Sequence, residues 1–258
     1  MLTTEASVTG IEIKMSASEF TQRARGCLLG LAVGDAIGTT VEFRSRGSFA
    51  PVTEMVGGGP FDLKPGEWTD DTSMALCLAE SLAECGGFDA RDQIERYCRW
   101  WRNGHMSSNG RCFDIGITVS EALRKFEESG DPFSGSTAAD TAGNGSIMRL
   151  APVPIFANGD ISETIRLSRE SSRTTHGAQE CLDACHALGV LLHHLLGGMQ
   201  KEEALDGFRQ FYAPSGNQPA RRPHTGPSRS GNKHGQECIF GNARGRQRNE
   251  TIRSVANV

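Results

Sequence analysis

A glycine at every fourth position across residues 19–38, EFTQRARGCLLGLAVGDAIG, constrains this chain more than any other feature: Gly26, Gly30, Gly34 and Gly38. On a helix that spacing draws a stripe without side chains, along which another backbone can pack closely. Glycine is a poor helix former, so tertiary packing has to hold such a helix in place. A membrane span is the other reading of the stripe. Arg23, Arg25 and Asp35, together with the short apolar length, argue against it.

The rest of the chain repeats the helical theme. A helix is expected to begin near Thr69–Asp70, run through TSMALCLAESLAE and stop at Gly86–Gly87. Further helices are expected over 91–102, 115–128, 160–173, 177–198 and 200–211, with 39–68 and 130–146 as loops. There is no sustained run of alternating β-branched residues and no repeat at solenoid spacing. The expected fold class is therefore all-α, a compact helical domain.

Three segments differ in character. Residues 1–18 read as a polar lead-in, and 19–212 hold the periodic helices. Residues 213–258 carry 8 Lys+Arg against 2 Asp+Glu, a surplus of +6, whereas 1–212 carry 19 against 29, giving −10. The basic tail has few large apolar residues and no periodic face. It cannot bury enough surface to offset its ordering entropy, so it is expected to be disordered. Its composition resembles a shifted reading frame or an unrelated replacement.

Several function classes drop out. No run of about 18 apolar residues exists, so no membrane partner is expected. The N-terminus lacks a basic region followed by an apolar one, which argues against secretion. The eight cysteines form no C-x-x-C pair and fit reduced thiols in a cytoplasmic protein.

Five short motifs carry candidate chemistry. Trp68-Thr69-Asp70-Asp71-Thr72 offers a hydroxyl and two adjacent carboxylates, hard oxygen donors suited to Mg²⁺ or Mn²⁺. Taken alone it reads first as a helix N-cap. Gly34-Asp35-Ala36-Ile37-Gly38 is followed by Glu42, a carboxylate placed to act as a general base or simply solvated. Asp35 itself fits a hydrogen bond to the end of a neighbouring helix. Asp114, in Arg111-Cys112-Phe113-Asp114-Ile115-Gly116, is a ribose partner or a cap. Gly143-Asn144-Gly145-Ser146-Ile147-Met148-Arg149 can present backbone N–H groups to a phosphate, or be a plain loop. His176 follows Thr174-Thr175 where another helix starts; a lone histidine is more often structural than catalytic.

In this order, G-D-A-x-G with a downstream Glu, W-T-D-D-T-x-M, F-D-I-G, G-N-G-S-I-M-R-x-x-P and S-x-x-T-T-H resemble the ADP-ribosylglycohydrolase family, over roughly Thr21 to Phe211. The resemblance implies an all-α hydrolase with two divalent cations that removes ADP-ribose from a modified protein side chain or a related ADP-ribosyl conjugate. It implies Thr69, Asp70 and Asp71 as metal ligands, Glu42 and Asp71 as catalytic groups, and Asp114, Asn144, Gly145, Ser146 and His176 as substrate-binding residues. The family's late Asp-x-Asp-Thr is not found after His176, so the second metal site is expected to be incomplete and turnover weak or absent. A non-catalytic ADP-ribose binder is the alternative. Nucleic-acid binding through Arg221–Arg222 and Arg244–Arg248 ranks below both, because Phe240 is the tail's only aromatic residue.

Overall fold

The computed structural model describes residues 16–212, and all of its regular elements are helical. Eight α-helices follow one another: α1 (Ala17–Gly38), α2 (Asp70–Cys85), α3 (Ala90–Asn103), α4 (Ile117–Ser129), α5 (Pro152–Ala157), α6 (Ile161–Arg173), α7 (Gln179–Leu196) and α8 (Lys201–Tyr212). Most of the lead-in and the whole basic tail lie outside the described residues.

Capping chemistry sets several boundaries. Ser16 starts α1 with a capping box: its hydroxyl accepts from the Glu19 N–H at 3.2 Å, and the Glu19 carboxylate accepts from the Ser16 N–H at 2.9 Å. Asp89 caps α3 by accepting from the N–H groups of Arg91 and Asp92, and Asp160 caps α6 by accepting from that of Glu163. Helix α5 departs from the expected pattern. Pro152 and Pro154 fall in its first turn, where proline is tolerated because its missing N–H has no partner to lose. All six α5 residues are buried.

α2 is the central element, with eleven of its sixteen residues buried. Leu78, Ala79 and Leu82 join Val153, Phe156, Leu167 and Cys185 in one apolar cluster beneath α1, α5, α6 and α7. Met74 and Cys77 join Ile94, Tyr97, Trp100 and Leu123 in a second cluster with α3 and α4. No helix among the described residues is long and apolar enough to cross a membrane.

The glycine stripe of α1 does not pack as expected. A Cβ at Gly26, Gly30, Gly34 or Gly38 would meet nothing within 4 Å. α1 instead meets the core through Phe20, Ala24, Cys27 and Leu28, on the face next to the stripe. Leu29 and Val33, beside the stripe, are 49% and 44% exposed. The close backbone approach occurs elsewhere: a Cβ on Gly189 of α7 would lie 2.2 Å from the Ser168 hydroxyl of α6.

Candidate active site

The site grows from the junction of α1 and α2. Asp35, three residues before the end of α1, accepts hydrogen bonds from the N–H groups of Thr69 (3.0 Å) and Thr72 (3.1 Å). It also accepts from both hydroxyls, Thr69 at 2.7 Å and Thr72 at 2.6 Å. The carboxylate thus caps α2 from outside, and Thr69, at the N-cap position, makes no cap with its own side chain. Trp68 is fixed just before it: its indole N–H donates to the Met106 carbonyl at 3.3 Å, and Ser108 donates to its carbonyl at 2.7 Å.

This anchoring holds Asp70 and Asp71 at the start of α2, facing further acids. Burial, followed by the charges of Asp114, Asp71 and Asp35, pushes the Asp70 carboxyl up to about 9. Burial and then Asp35 raise Asp71 to about 6. Burial, then Glu42 and Asp71, raise Asp114 to about 7. Glu42 is raised by burial, against the lowering effect of hydrogen bonds from Thr39 and Asp114. In the Glu42–Asp114 pair the shared hydrogen bond lowers Glu42 and raises Asp114. No Lys, Arg or His figures among the causes of any of these four shifts. Such oxygen donors suit a hard divalent cation, which would relieve their repulsion. Among the described residues, however, no three His, Cys, Asp or Glu side chains converge into a closed ligand set.

The surrounding loops are strained. Phe43, Asp62, Met106 and Asp114 all have φ between 52° and 60°, uncommon for residues other than glycine and concentrated at functional sites. Phe61 bridges Phe43 (ring centroids 6.5 Å) and Phe113 (5.4 Å), so three loops are joined by aromatic contacts beside Glu42 and Asp114. Phe43 is 81% exposed. Neither the ring trio nor the strain has a periodic signature, and sequence reasoning missed both.

A second group lies past the first turn of α4, whose Thr118 donates to the Thr141 carbonyl at 3.2 Å. In the loop 143–149 the Asn144 carbonyl accepts from the N–H groups of Ile147 and Met148, both at 3.0 Å. The N–H groups of Asn144, Gly145 and Ser146 donate to nothing among the described residues. Gly143 and Asn144 are exposed, whereas Gly145 and Ser146 are buried. The Ser146 hydroxyl is engaged inward, hydrogen-bonded to the Ser172 hydroxyl oxygen at 2.9 Å and accepting from the Cys185 thiol at 3.4 Å. Its backbone, rather than its hydroxyl, faces the loop.

His176 sits beneath this loop, 2% exposed. Its backbone N–H donates to the Ser172 carbonyl at 2.7 Å, and its carbonyl accepts from the Ser172 hydroxyl at 2.9 Å. Burial, then Arg149, pushes the imidazole down to about 3, so it is neutral at ordinary pH. The predicted residues therefore fall into two groups: Glu42, Thr69, Asp70, Asp71 and Asp114 in one, and Asn144, Gly145, Ser146 and His176 in the other. α4, which begins just after Asp114 and puts Val119 against Gly145, joins them.

The sequence profile of the ADP-ribosylglycohydrolase family matches residues 16–241, running past the compositional break at Tyr212. The chain is 49% identical over 187 residues to the ADP-ribosylarginine hydrolase Tri1 of Serratia proteamaculans (strain 568), covering 72% of this chain and 51% of that protein. It is 37% identical over 188 residues to the ADP-ribosyl-[dinitrogen reductase] glycohydrolase of Rhodospirillum rubrum, covering 71% of this chain and 61% of that one. A solved ADP-ribosylglycohydrolase-related protein complex superposes with a TM-score of 0.64 at 46% identity, over 75% of this chain and 63% of the other. The chain spans about half the length of the curated Tri1 relatives it matches.

Proposed function

Because the chain belongs to the ADP-ribosylglycohydrolase family, whose named members are glycosidic hydrolases acting on ADP-ribosyl conjugates, we propose that it binds an ADP-ribosylated protein side chain, with arginine the leading acceptor, and hydrolyses the bond to ribose weakly at most. The observation that carries this reading is the crowding of Glu42, Asp70, Asp71 and Asp114 with no cation among the groups that shift them. Perturbed carboxyls gathered at one spot mark functional sites more often than structural ones.

Cleavage of a glycosidic bond develops positive charge on the ribose, which nearby carboxylates stabilise. Glu42, hydrogen-bonded by Asp114, is the group suited to take a proton from an attacking water. Asp71 lies beside it and stabilises the ribosyl cation. Thr69, Asp70 and Asp71 are the residues that would hold Mg²⁺ or Mn²⁺, which supplies charge neutralisation and orients the ribose hydroxyls when bound. Asp35 contributes by fixing the start of α2. Asp114 would hydrogen-bond ribose, while the free N–H groups of Asn144, Gly145 and Ser146 would receive phosphate oxygens. Weak turnover follows from donors that come chiefly from one helix end and form no closed set of three among the described residues.

The test pairs calorimetric binding of ADP-ribose with release of ADP-ribose from an arginine-ADP-ribosylated protein, each with and without Mg²⁺ or Mn²⁺. Metal-dependent binding with slow release is the expected result. Robust turnover removes the proposed impairment. Binding without any release makes the chain a non-catalytic ADP-ribose binder. No binding by the folded protein overturns the proposal.

A further inference from the structure

Arg149 is 1% exposed and forms no ion pair among the described residues. Its guanidinium donates to the Thr175 hydroxyl at 2.7 Å, the Ser171 carbonyl at 3.2 Å and the Thr174 hydroxyl at 3.3 Å, and lies 4.4 Å from the centre of the Tyr97 ring. Its other nitrogen approaches the Met74 sulfur at 3.9 Å, so this buried cation is met only by neutral groups, which makes it costly to place. Such a group calls for a role beyond packing.

The hydrogen bonds along this chain of contacts run in one direction. A guanidinium only donates, so the Thr175 oxygen must accept from Arg149. Thr175 is fully buried, and the one other partner of its hydroxyl is His176 Nδ1, at 2.9 Å. If the hydroxyl hydrogen did not go to Nδ1, it would have no acceptor and would carry the cost of a buried unmade bond. Nδ1 therefore accepts, and the ring proton of the neutral imidazole sits on Nε2. Nε2 makes no hydrogen bond among the described residues. It faces the loop: a Cβ on Gly145 would lie 3.2 Å from it, and one on Gly143 3.5 Å. A polar ring 98% buried, with its one free donor aimed at a glycine loop, points to a ligand atom there.

We propose that Arg149 is a positioning residue: through Thr175 it holds His176 as the Nε2–H tautomer, which donates to an oxygen of the ADP-ribosyl group seated on the Gly143–Gly145 loop. The ligand in this proposal rests on the reading under Proposed function, whereas the tautomer does not. Gly143-Asn144-Gly145-Ser146-Ile147-Met148-Arg149 and Thr174-Thr175-His176 then form one device, in which the first segment supplies both the seat and the group that orients the donor.

The test uses the full chain labelled with ¹⁵N-histidine and long-range ¹H–¹⁵N correlation, with a His176→Gln variant to assign the ring. The expected spectrum at pH 7 shows His176 neutral with its proton on Nε2. Thr175→Val should bring in the Nδ1–H form and weaken ADP-ribose binding about tenfold, a loss typical of one hydrogen bond. Thr175→Ser, which keeps the hydroxyl, should restore both. An Nδ1–H ring in the unmodified protein overturns the role of Arg149, as does a Thr175→Val ring still wholly Nε2–H. An Nε2–H ring in a protein that binds no ADP-ribose overturns the ligand and the family-based function together, and leaves the Arg149 relay standing.

Discussion

Two arginines are buried among the described residues, and their surroundings are opposites. Arg96, on α3, is 4% exposed and meets Glu80, Glu84 and Asp92 in ion pairs, with His105 sharing Glu80 at 2.7 Å. Arg149 is 1% exposed and meets no carboxylate among the described residues. The acids that could have balanced it are gathered instead around the start of α2, where none of them forms an ion pair among the described residues. Charge is paired where the protein only packs, on the α2–α3 flank, and left unpaired at the two places that face the candidate ligand. An unpaired buried charge is destabilising unless something else requires it. The difference thus separates scaffold from site more sharply than burial does.

The largest effect should come from breaking the paired arginine. Arg96→Met strands Glu80, Glu84 and Asp92 and should lower unfolding stability by about 3 kcal/mol, measured by denaturant titration. Arg149→Met removes a cation that has no ionic partner and should cost about 1 to 2 kcal/mol less than that. Only Arg149→Met should alter the His176 ring spectrum. Equal losses of stability and silent histidine spectra in both variants would erase the distinction.

A second effect should follow pH. Asp70, Asp71 and Asp114 hold protons in the folded state up to about 9, 6 and 7, against an ordinary value of 3.8. The unfolded chain releases these protons first, so it binds fewer of them through this window, and stability falls as pH rises from about 4 through 9. A divalent cation at the cluster should offset that loss. Mg²⁺ or Mn²⁺ should therefore raise the melting temperature by a few degrees at pH 8 and by little at pH 5. A cation effect equal at both pH values would show that the acids are not its target.

The smallest effect lies outside both regions. Gly30→Ala, on the bare side of α1 with nothing within 4 Å of the new methyl group, should raise stability by about 0.5 to 1 kcal/mol through helix propensity alone. A loss of stability instead would mean that the stripe is covered in solution.

The helices were legible because their apolar periodicity and caps agree with the packing: the expected stop at Gly86–Gly87 is the observed C-terminal end of α2. α5 was not legible, because its two prolines act as local breakers while the energy that holds it comes from burial of all six residues. At the site, Asp35 could be read as a partner for the end of another helix, and it is one. Glu42, Asp70, Asp71 and Asp114 could be named as acids. Their mutual shifts could not be read, because they depend on three chain segments meeting. The stripe shows the opposite failure: the spacing of Gly26, Gly30, Gly34 and Gly38 marks a face but says nothing of what lies opposite. Arg149 stands in plain view within G-N-G-S-I-M-R, but its meaning comes from Thr175, a residue 26 positions later.

That short segment also sets a rule about length. The turn closed by the Asn144 carbonyl ends at Met148, directly before Arg149 on one side, and holds Gly145 directly over the histidine on the other. One inserted residue after Ser146 would swing the guanidinium by about 100° in a helical turn and away from Thr175. The exposed stretch Thr137–Asp140 before this segment, which includes the start of a short 3-10 turn, lies at the surface, where a change in length is more easily absorbed. In any reshaping of this protein, residues 143–149 behave as a part of fixed size, to be moved whole or not at all, while the approach to them can be lengthened or trimmed.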